Sequence, residues 1–290
     1  MLKKFKSMKG YIYLAPALIT VIIFTIYPII NTIINSFDET KSQGYVFGLG
    51  SYKALFEDER FITSLGNTAI YALIVPLVSV VISLLLANAL VTIKNEKIRG
   101  FFQSVYFLPY VTSMVAIGVV WSWLFNSEYG IINYLLGFVG IEPIAWLNDP
   151  NWAMPALIIF AVWKTLAFNT LILTTGIATI NPQYYQAAKI DGASSGIIFR
   201  KITMKLVSPM ILYTYIISLI GGFKVYTEAF VLFGGRTLDG SVSTVVQYII
   251  ERFYGDQDFP LAFAGSIVLL IIILTVTLVQ RTIAKNKVHY

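Results

Sequence analysis

The sequence predicts an all-α membrane protein with about six transmembrane helices, and three observations lead to that prediction. Hydrophobic residues fill 57% of the 290 positions and charged residues only 12%, whereas soluble globular proteins carry about a quarter charged residues. The apolar residues are concentrated in six long runs, which a bilayer requires and a soluble fold could not bury separately. The basic residues are concentrated in alternate loops, as membrane topology requires.

Each apolar run is long enough to cross about 30 Å of hydrocarbon, because a helix rises about 1.5 Å per residue. Little of the chain is left for a soluble domain, so we expect residues 1–290 to form a single transmembrane domain. The predicted spans are 11–37, 68–93, 101–125, 153–180, 208–233 and 260–283.

The charges of the loops predict the orientation. The N-terminus, the second and fourth loops and the C-terminal tail together carry fourteen basic residues, with only Glu96 and Asp191 as acids. The other loops carry five basic residues and nearly all of the remaining acids. Because basic loops stay on the inner side of a membrane, both termini are expected in the cytoplasm. Topology therefore explains the net charge of +6, and nucleic acid is not expected as a partner.

Several kinds of chemistry lack the residues that they need. The chain has no cysteine, and its one histidine is His289, so neither thiolate nor histidine metal sites are expected. No phosphate-binding loop of the form G-x-x-x-x-G-K-[ST] is present, so the chain is not expected to hydrolyse ATP. A membrane enzyme would need convergent catalytic groups, whereas the carboxylates of this chain are scattered along the sequence. We therefore expect a non-catalytic protein that binds no cofactor itself.

The fourth loop has the capping signals of two short helices. Asn181 followed by Pro182 is typical of a helix start, since Asn caps the first turn and proline suits the first helical position. Gly192 can end that helix in the left-handed conformation, and Ser194 or Ser195 can cap the next helix. Small and apolar side chains would lie exposed on this helix–glycine–helix elbow. The elbow is therefore either a docking surface for a partner or an amphipathic pair on the inner leaflet.

Particular residues of this loop carry a family resemblance. Gln186-Ala187-Ala188, followed by Gly192 and Ile202, resembles the EAA loop of ABC-importer permeases. The sequence of residues 187–194 is similar to that of the sugar-transporter branch of this family, which includes the maltose, multiple-sugar and glycerol-phosphate types. The resemblance extends over residues 11–283. It is carried further by Tyr13–Leu18, Tyr27-Pro28, Asn35–Phe37, Phe107–Tyr110, Trp121–Asn126, Tyr129-Gly130, Trp146-Leu147 and Trp163-Lys164.

The resemblance implies the fold of an ABC-importer permease in the cytoplasmic membrane of a bacterium. It implies a second homologous permease, two ATPase subunits that bind ATP and Mg²⁺, an extracellular solute-binding protein and a sugar substrate. Residues 181–205, the coupling loop, would then dock on the ATPases. The implied docking residues are Tyr184, Gln186, Ala187, Ala188, Asp191, Gly192, Ala193, Phe199 and Ile202.

Two positions of the coupling loop depart from the family pattern. Gln186 stands where glutamate is usual, and an amide keeps a hydrogen bond without the assistance of charge. Lys205 stands where proline is usual, which removes a fixed bend, although Pro209 follows one turn later. Ser208 and Pro209 are expected to start the fifth span with a cap and a proline.

Three ionisable residues lie deep in apolar runs, where a charge is costly and usually functional. Lys224 and Glu228 are four residues apart and could pair on one helix face, as a structural pair or on a translocation path. Lys164 either joins that path or snorkels towards an interface. Asn169 is expected to bond between helices. The candidate path consists of Lys164, Tyr215, Phe223, Lys224, Tyr226 and Glu228.

A stand-alone secondary transporter or channel is the alternative function. Such proteins often contain inverted repeats or paired interrupted helices, and no internal repeat is evident in this sequence. An importer half should depend on an ATPase, whereas the alternative should work alone.

Overall fold

A computed structural model describes residues 13–40 and 44–285 of the protein, with side chains as far as Thr282. The start of the first predicted span at Tyr11, the lysines before it and the tail beyond 285 lie outside the described residues. Within the described ranges the regular structure is helical, apart from one antiparallel bridge between Asp38 and Phe47. The predicted all-α class is confirmed.

The helices have the following bounds in chain order. They are α1 (Tyr13–Asn35), α2 (Gly50–Glu57), α3 (Glu59–Thr92), α4 (Glu96–Val111), α5 (Met114–Leu124), α6 (Ile131–Gly137), α7 (Pro150–Ala178), α8 (Pro182–Ile190), α9 (Ser195–Leu206), α10 (Ser208–Phe223), α11 (Thr227–Phe233), α12 (Val245–Ile250) and α13 (Phe259–Lys285). Single π-helical stretches lie at Ile22–Ile26, Phe199–Thr203 and Glu251–Gly255.

Four helices of the described chain, α1, α3, α7 and α13, are long and apolar enough to cross a membrane. Two further candidates are bent pairs: α4 with α5 at 101°, and α9 with α10 at 67°. If each bent pair counts as one span, the described residues supply up to six, which agrees with the predicted number.

The predicted span 101–125 is not one straight helix. It is divided at Thr112 and Ser113, where α4 ends and α5 leaves at 101°. The Thr112 side chain donates to the carbonyl of Leu108 at 2.7 Å, and the Ser113 carbonyl accepts from Ile117 N–H at 3.0 Å, so polar groups at the break are satisfied. The apolar residues on both sides predict one continuous run, although Pro109, Thr112 and Ser113 lie at the break.

The predicted span 208–233 is also divided. Helix α10 ends at Phe223, and α11 begins at Thr227. The carbonyl of Val225, between the two helices, accepts a hydrogen bond of 2.9 Å from the buried hydroxyl of Thr244. The break is therefore a satisfied, specific feature, of the kind that membrane proteins tolerate only where protein surrounds the free backbone groups.

The described chain forms two compact units. The first extends to Phe61 and also contains Tyr248–Ile271, and the second contains Ile62–Gln247 and the chain from Ile272. In the second unit, α3, α5, α7 and α11 share one apolar core. Its largest buried side chains are Tyr71, Phe125, Trp146, Phe160 and Phe233.

A polar cluster stabilises the first unit. The Asp58 carboxylate accepts from the Tyr248 hydroxyl at 2.7 Å and from the guanidinium of Arg252, which also bonds Asp256 at 2.7 Å. Burial by itself raises the pKa of Asp58, but hydrogen bonds from Tyr248, from Arg252 and from the backbone N–H of Arg60 outweigh it. The pKa of Asp58 is therefore lowered. The carboxylate is held ionised in this cluster.

Candidate functional site

A cavity of about 250 Å³ lies in the second unit among α3, α4, α7, α10 and α11. Charged, hydroxyl and aromatic side chains meet there, an unusual combination for an apolar bundle. Its lining residues are Tyr71, Val75, Tyr110, Lys164, Thr165, Phe168, Ile217, Ser218, Gly221, Gly222 and Glu228.

An ion pair forms one wall of this cavity. Lys164 Nζ on α7 donates to Glu228 Oε1 on α11 at 2.8 Å, and the side chains are 29% and 22% exposed. The predicted pairing of Glu228 with Lys224 is wrong, because the break between α10 and α11 removes the helical register that would bring them together. Lys164 does not snorkel away but points to its partner. Lys224 is exposed and makes no ion pair with any described residue.

The position of Glu228 depends on how α11 packs. Gly118 on α5 faces Val231 on α11 so closely that a Cβ at position 118 would overlap the Val231 side chain. Ala229, Leu232 and Phe233 are buried in the core that α7 shares. Glu228 lies in the first turn of α11, where a carboxylate also suits the helix dipole. Packing thus holds α11 against α5 and α7, with Glu228 directed at Lys164.

The six candidate path residues do not all reach the cavity. Lys164 and Glu228 line it, whereas Tyr215, Phe223, Lys224 and Tyr226 do not. Phe223 is buried at 5% exposure, and the Tyr226 ring packs against Phe230 with centroids 5.5 Å apart. The aromatic candidates were predicted from their proximity in sequence to Lys224 and Glu228, which does not fix the direction of their side chains. Tyr215 and Phe223 belong to α10, before the break, and the break separates Lys224 and Tyr226 from the register of α10.

Sequence reasoning missed the aromatic residues of the cavity. Tyr110 on α4 and Phe168 on α7 stack with ring centroids 5.5 Å apart and planes at 24°. Tyr71 on α3 adds a third ring. The frequent aromatic residues gave no basis for selecting these, although Tyr110 ends the Phe107–Tyr110 block that carried part of the resemblance.

Asn169 connects three helices beside the cavity. Its amide donates to Ser79 Oγ on α3 at 3.3 Å, and its carbonyl oxygen accepts from Ser218 Oγ on α10 at 3.2 Å. The predicted interhelical role of Asn169 is confirmed. Ser218 thereby belongs both to this junction and to the cavity wall.

The coupling loop has the predicted local structure. The Asn181 side chain accepts from Gln183 N–H at 2.9 Å and caps α8, with Pro182 at its first position. Gly192 has φ +74° and separates α8 from α9. The hydroxyls of Tyr185 and Thr203 are hydrogen-bonded at 3.2 Å, which joins the two helices. Ser194 occupies the N-cap position of α9 but makes no capping hydrogen bond.

One side of the coupling loop is anchored and the other is open. Phe199 is half-buried and packs against a core cluster of the bundle, so it holds the loop to the bundle. The cluster consists of Leu84, Ala87, Leu173, Ile177 and Val207. On the open side, the predicted docking residue Tyr184 is 55% exposed, and Ile190, which was not among the predicted docking residues, is 86% exposed. Of the other predicted docking residues, Gln186, Ala187, Asp191 and Gly192 are exposed and Ala188, Ala193 and Ile202 are half-buried.

The departure at Lys205 does not remove the bend that proline would impose. Helices α9 and α10 still meet at 67°. The prediction that Ser208 caps α10 is wrong. Its side chain makes no capping bond and instead donates from Oγ to the Lys205 carbonyl at 2.7 Å. Pro209 lies in the first turn of α10. This turn therefore maintains the bend without proline at position 205.

Comparisons with known proteins agree with this architecture. Residues 79–288 match the family described as "binding-protein-dependent transport system inner membrane component". The chain is 32% identical over 277 residues to the arabinooligosaccharides transport system permease protein AraP of Bacillus subtilis, covering 95% of this chain and 88% of the relative. It is 30% identical to the lactose transport system permease protein LacF of Rhizobium radiobacter, covering 99% and 97%.

A solved structure shares the fold. A chain of a bacterial alginate ABC transporter, crystallised in complex with an alginate pentasaccharide-bound periplasmic protein, superposes with a TM-score of 0.87. It is 23% identical, and the likeness covers 99% of this chain and 97% of that one. The resemblance first drawn from residues 186–202 is confirmed.

Proposed function

We propose that this chain, which belongs to the family of binding-protein-dependent transport system inner membrane components, forms one permease half of an ATP-driven importer. The imported solute would be a sugar or oligosaccharide. The observation that carries the coupling role is the open elbow around Gly192, with Ile190 86% exposed beside it. The substrate class is supported by relatives named for arabinooligosaccharides and lactose.

The open side of the coupling loop would receive the ATPase subunits. An isoleucine exposed to water costs hydrophobic free energy, and a docked partner would recover it. The Tyr185–Thr203 bond links α8 to α9, and Phe199 anchors α9 to the bundle, so a displacement of α8 would be passed to α9 and then to α10. ATP and Mg²⁺ would be bound by the partner subunits, and this chain would contribute no catalysis.

The cavity at Lys164 and Glu228 would be this chain's part of the translocation path, with a second, homologous permease facing it. Stacked aromatic rings beside hydrogen-bonding groups suit sugars, whose C–H faces pack on rings while their hydroxyls need polar partners. With both termini in the cytoplasm, the coupling loop would face the ATPases and the opposite loops would face a solute-binding protein.

Purification of the tagged chain from its native membrane in mild detergent tests this proposal. We expect an ATPase with a phosphate-binding loop and a second permease to copurify. Ile190→Asp should reduce the recovered ATPase at least fivefold and leave the second permease in place. Ile98→Asp is the matched control, since Ile98 is a 48% exposed isoleucine in the first turn of α4, on the same predicted side of the membrane.

Two outcomes would contradict the proposal. If the chain copurifies with no ATPase and moves solute in liposomes without ATP, it acts as a stand-alone transporter or channel. If Ile98→Asp and Ile190→Asp reduce ATPase recovery equally, the coupling loop is not the docking surface.

A further inference from the structure

The charges that line the cavity cancel. Among the described residues, Lys164 and Glu228 are the only Lys, Arg, Asp or Glu side chains that line it, and they bond directly at 2.8 Å. The third intramembrane charge, Lys224, is exposed and does not line the cavity. A solute in this part of the chain therefore meets a strong local dipole but no net charge.

The pair keeps hydrogen-bonding capacity after it has formed. An ammonium group has three donors and a carboxylate about four acceptor sites, and the bond between Lys164 and Glu228 uses one of each. The hydroxyls of Ser218 and Thr165 line the same cavity. Each donates its proton inside the bundle, to Asn169 Oδ1 and to the Ala161 carbonyl, and keeps its oxygen as an acceptor. Sugar hydroxyls are both donors and acceptors, so they can use both ends of the pair.

An ionic solute would bind less favourably than a neutral one at the Lys164–Glu228 pair. An anion would compete with Glu228 for Lys164 and leave the carboxylate unpaired, and a cation would do the reverse to Lys164. Leaving one member of a partly buried ion pair without its partner is unfavourable, although less so than for a fully buried pair. The aromatic faces of Tyr110 and Phe168 offer no compensating charge.

We propose that the Lys164–Glu228 pair is a specificity determinant that makes this half of the path select uncharged saccharides over charged ones. This inference rests on the proposed function, because it assigns a substrate class to the same cavity. Glu228 excludes anions that Lys164 would attract, and Lys164 excludes cations that Glu228 would attract.

The absence of cysteine from the sequence allows a direct test. A thiol introduced by Gly221→Cys would line the cavity, and a Cβ at that position has no atom within 4 Å. The assembled transporter in liposomes is labelled with hydroxyethyl, sulfonatoethyl and trimethylammonioethyl methanethiosulfonates, which are neutral, anionic and cationic. The labelling rate of each reagent is divided by the rate at which the same reagent reacts with 2-mercaptoethanol in solution, so that differences in intrinsic reactivity cancel. The transporter without Gly221→Cys gives the background.

With the pair intact, we expect the neutral reagent to have the highest normalised rate. Glu228→Gln leaves the positive charge of Lys164 and should raise the ratio of the anionic to the cationic normalised labelling rate about tenfold. Lys164→Met leaves the negative charge of Glu228 and should lower that ratio about tenfold. The double variant should return the ratio to within about twofold of that of the intact pair. Because the double variant again has no net charge, it separates electrostatic effects from misfolding.

Failure of the proposed path and failure of the charge-selection inference give different results. If no reagent reaches the thiol in any state of the ATP cycle, the cavity is not part of an aqueous path and the path assignment in the proposed function is wrong. If all three reagents react and the ratio is unchanged by both single variants, the cavity is on the path but the pair does not select by charge. A charged reagent that outpaces the neutral one with the pair intact would also overturn the inference.

Discussion

Gly222 on α10 lies against Ala72 on α3, so closely that a Cβ at position 222 would be 2.8 Å from the Ala72 Cα. The helices can approach to this distance only because glycine has no side chain, as small residues permit in membrane bundles. Gly222→Ala should therefore destabilise the protein by about 1–3 kcal/mol, the usual cost of overpacking. Thermal unfolding in detergent measures the effect.

The neighbouring glycine is a matched control. A Cβ at Gly221 meets nothing within 4 Å, so Gly221→Ala should leave the unfolding midpoint nearly unchanged. Equal effects of the two substitutions would show that helix flexibility, and not the contact with Ala72, determines the result.

The ion pair of α7 and α11 should contribute to stability through mutual compensation. Lys164→Met or Glu228→Gln alone should cost about 1–3 kcal/mol, less than a fully buried pair, because both side chains are 20–30% exposed. The double variant should cost less than the sum of the two. A double-mutant cycle of unfolding free energies measures this coupling, and strict additivity would mean that the pair has no net energetic link.

The left-handed turn of the coupling loop should be selective for residue type. Gly192 has φ +74°, a region that β-branched residues essentially avoid. Gly192→Val should strain the turn by about 1–3 kcal/mol and lower ATPase recovery several-fold. Gly192→Asn is the control, because Asn tolerates this conformation. If both variants retain ATPase equally, the backbone conformation at 192 is not needed for docking.

The Asp58 cluster predicts a pH dependence of stability. The folded-state pKa of Asp58 lies below its ordinary value of 3.8, so its ionised form contributes stability above that pH. The contribution is lost as the pH falls through the lowered pKa. Asp58→Asn should therefore unfold at a lower temperature than the wild type at pH about 7. The difference in unfolding temperature between the wild type and Asp58→Asn should become smaller as the pH falls below about 3.8. A difference that is independent of pH would contradict this assignment.

Local signals in the sequence predicted local structure well. The Asn181 cap, the proline after it and the left-handed Gly192 are each determined by a few neighbouring residues, and all three are confirmed. The six apolar runs likewise predicted the fold class, because length and hydropathy alone decide whether a segment can span a bilayer.

Long-range pairing was not predictable in the same way. The partner of Glu228 depends on the end of α10 at Phe223, and no proline or charge run marks that break. A continuous helix would have brought Lys224 beside Glu228, which is why the sequence favoured that pair. The resemblance likewise implies Phe199 as a docking residue, but its side chain packs against a core cluster of the bundle, and no local signal in the loop reveals that long-range contact.

The break at residues 224–226 has a mechanical consequence. Helix α11 is held by α5 and α7, through the Gly118–Val231 contact and the Lys164–Glu228 bond, rather than by continuity with α10. Helix α10 is joined instead to the coupling loop through α9. A tilt of α10 delivered from the loop would bend the chain at residues 224–226 and would also have to shift the contacts of Ser218 with Asn169 and of Gly222 with Ala72. The cavity would change width between α10 and α11 while Glu228 stayed beside Lys164.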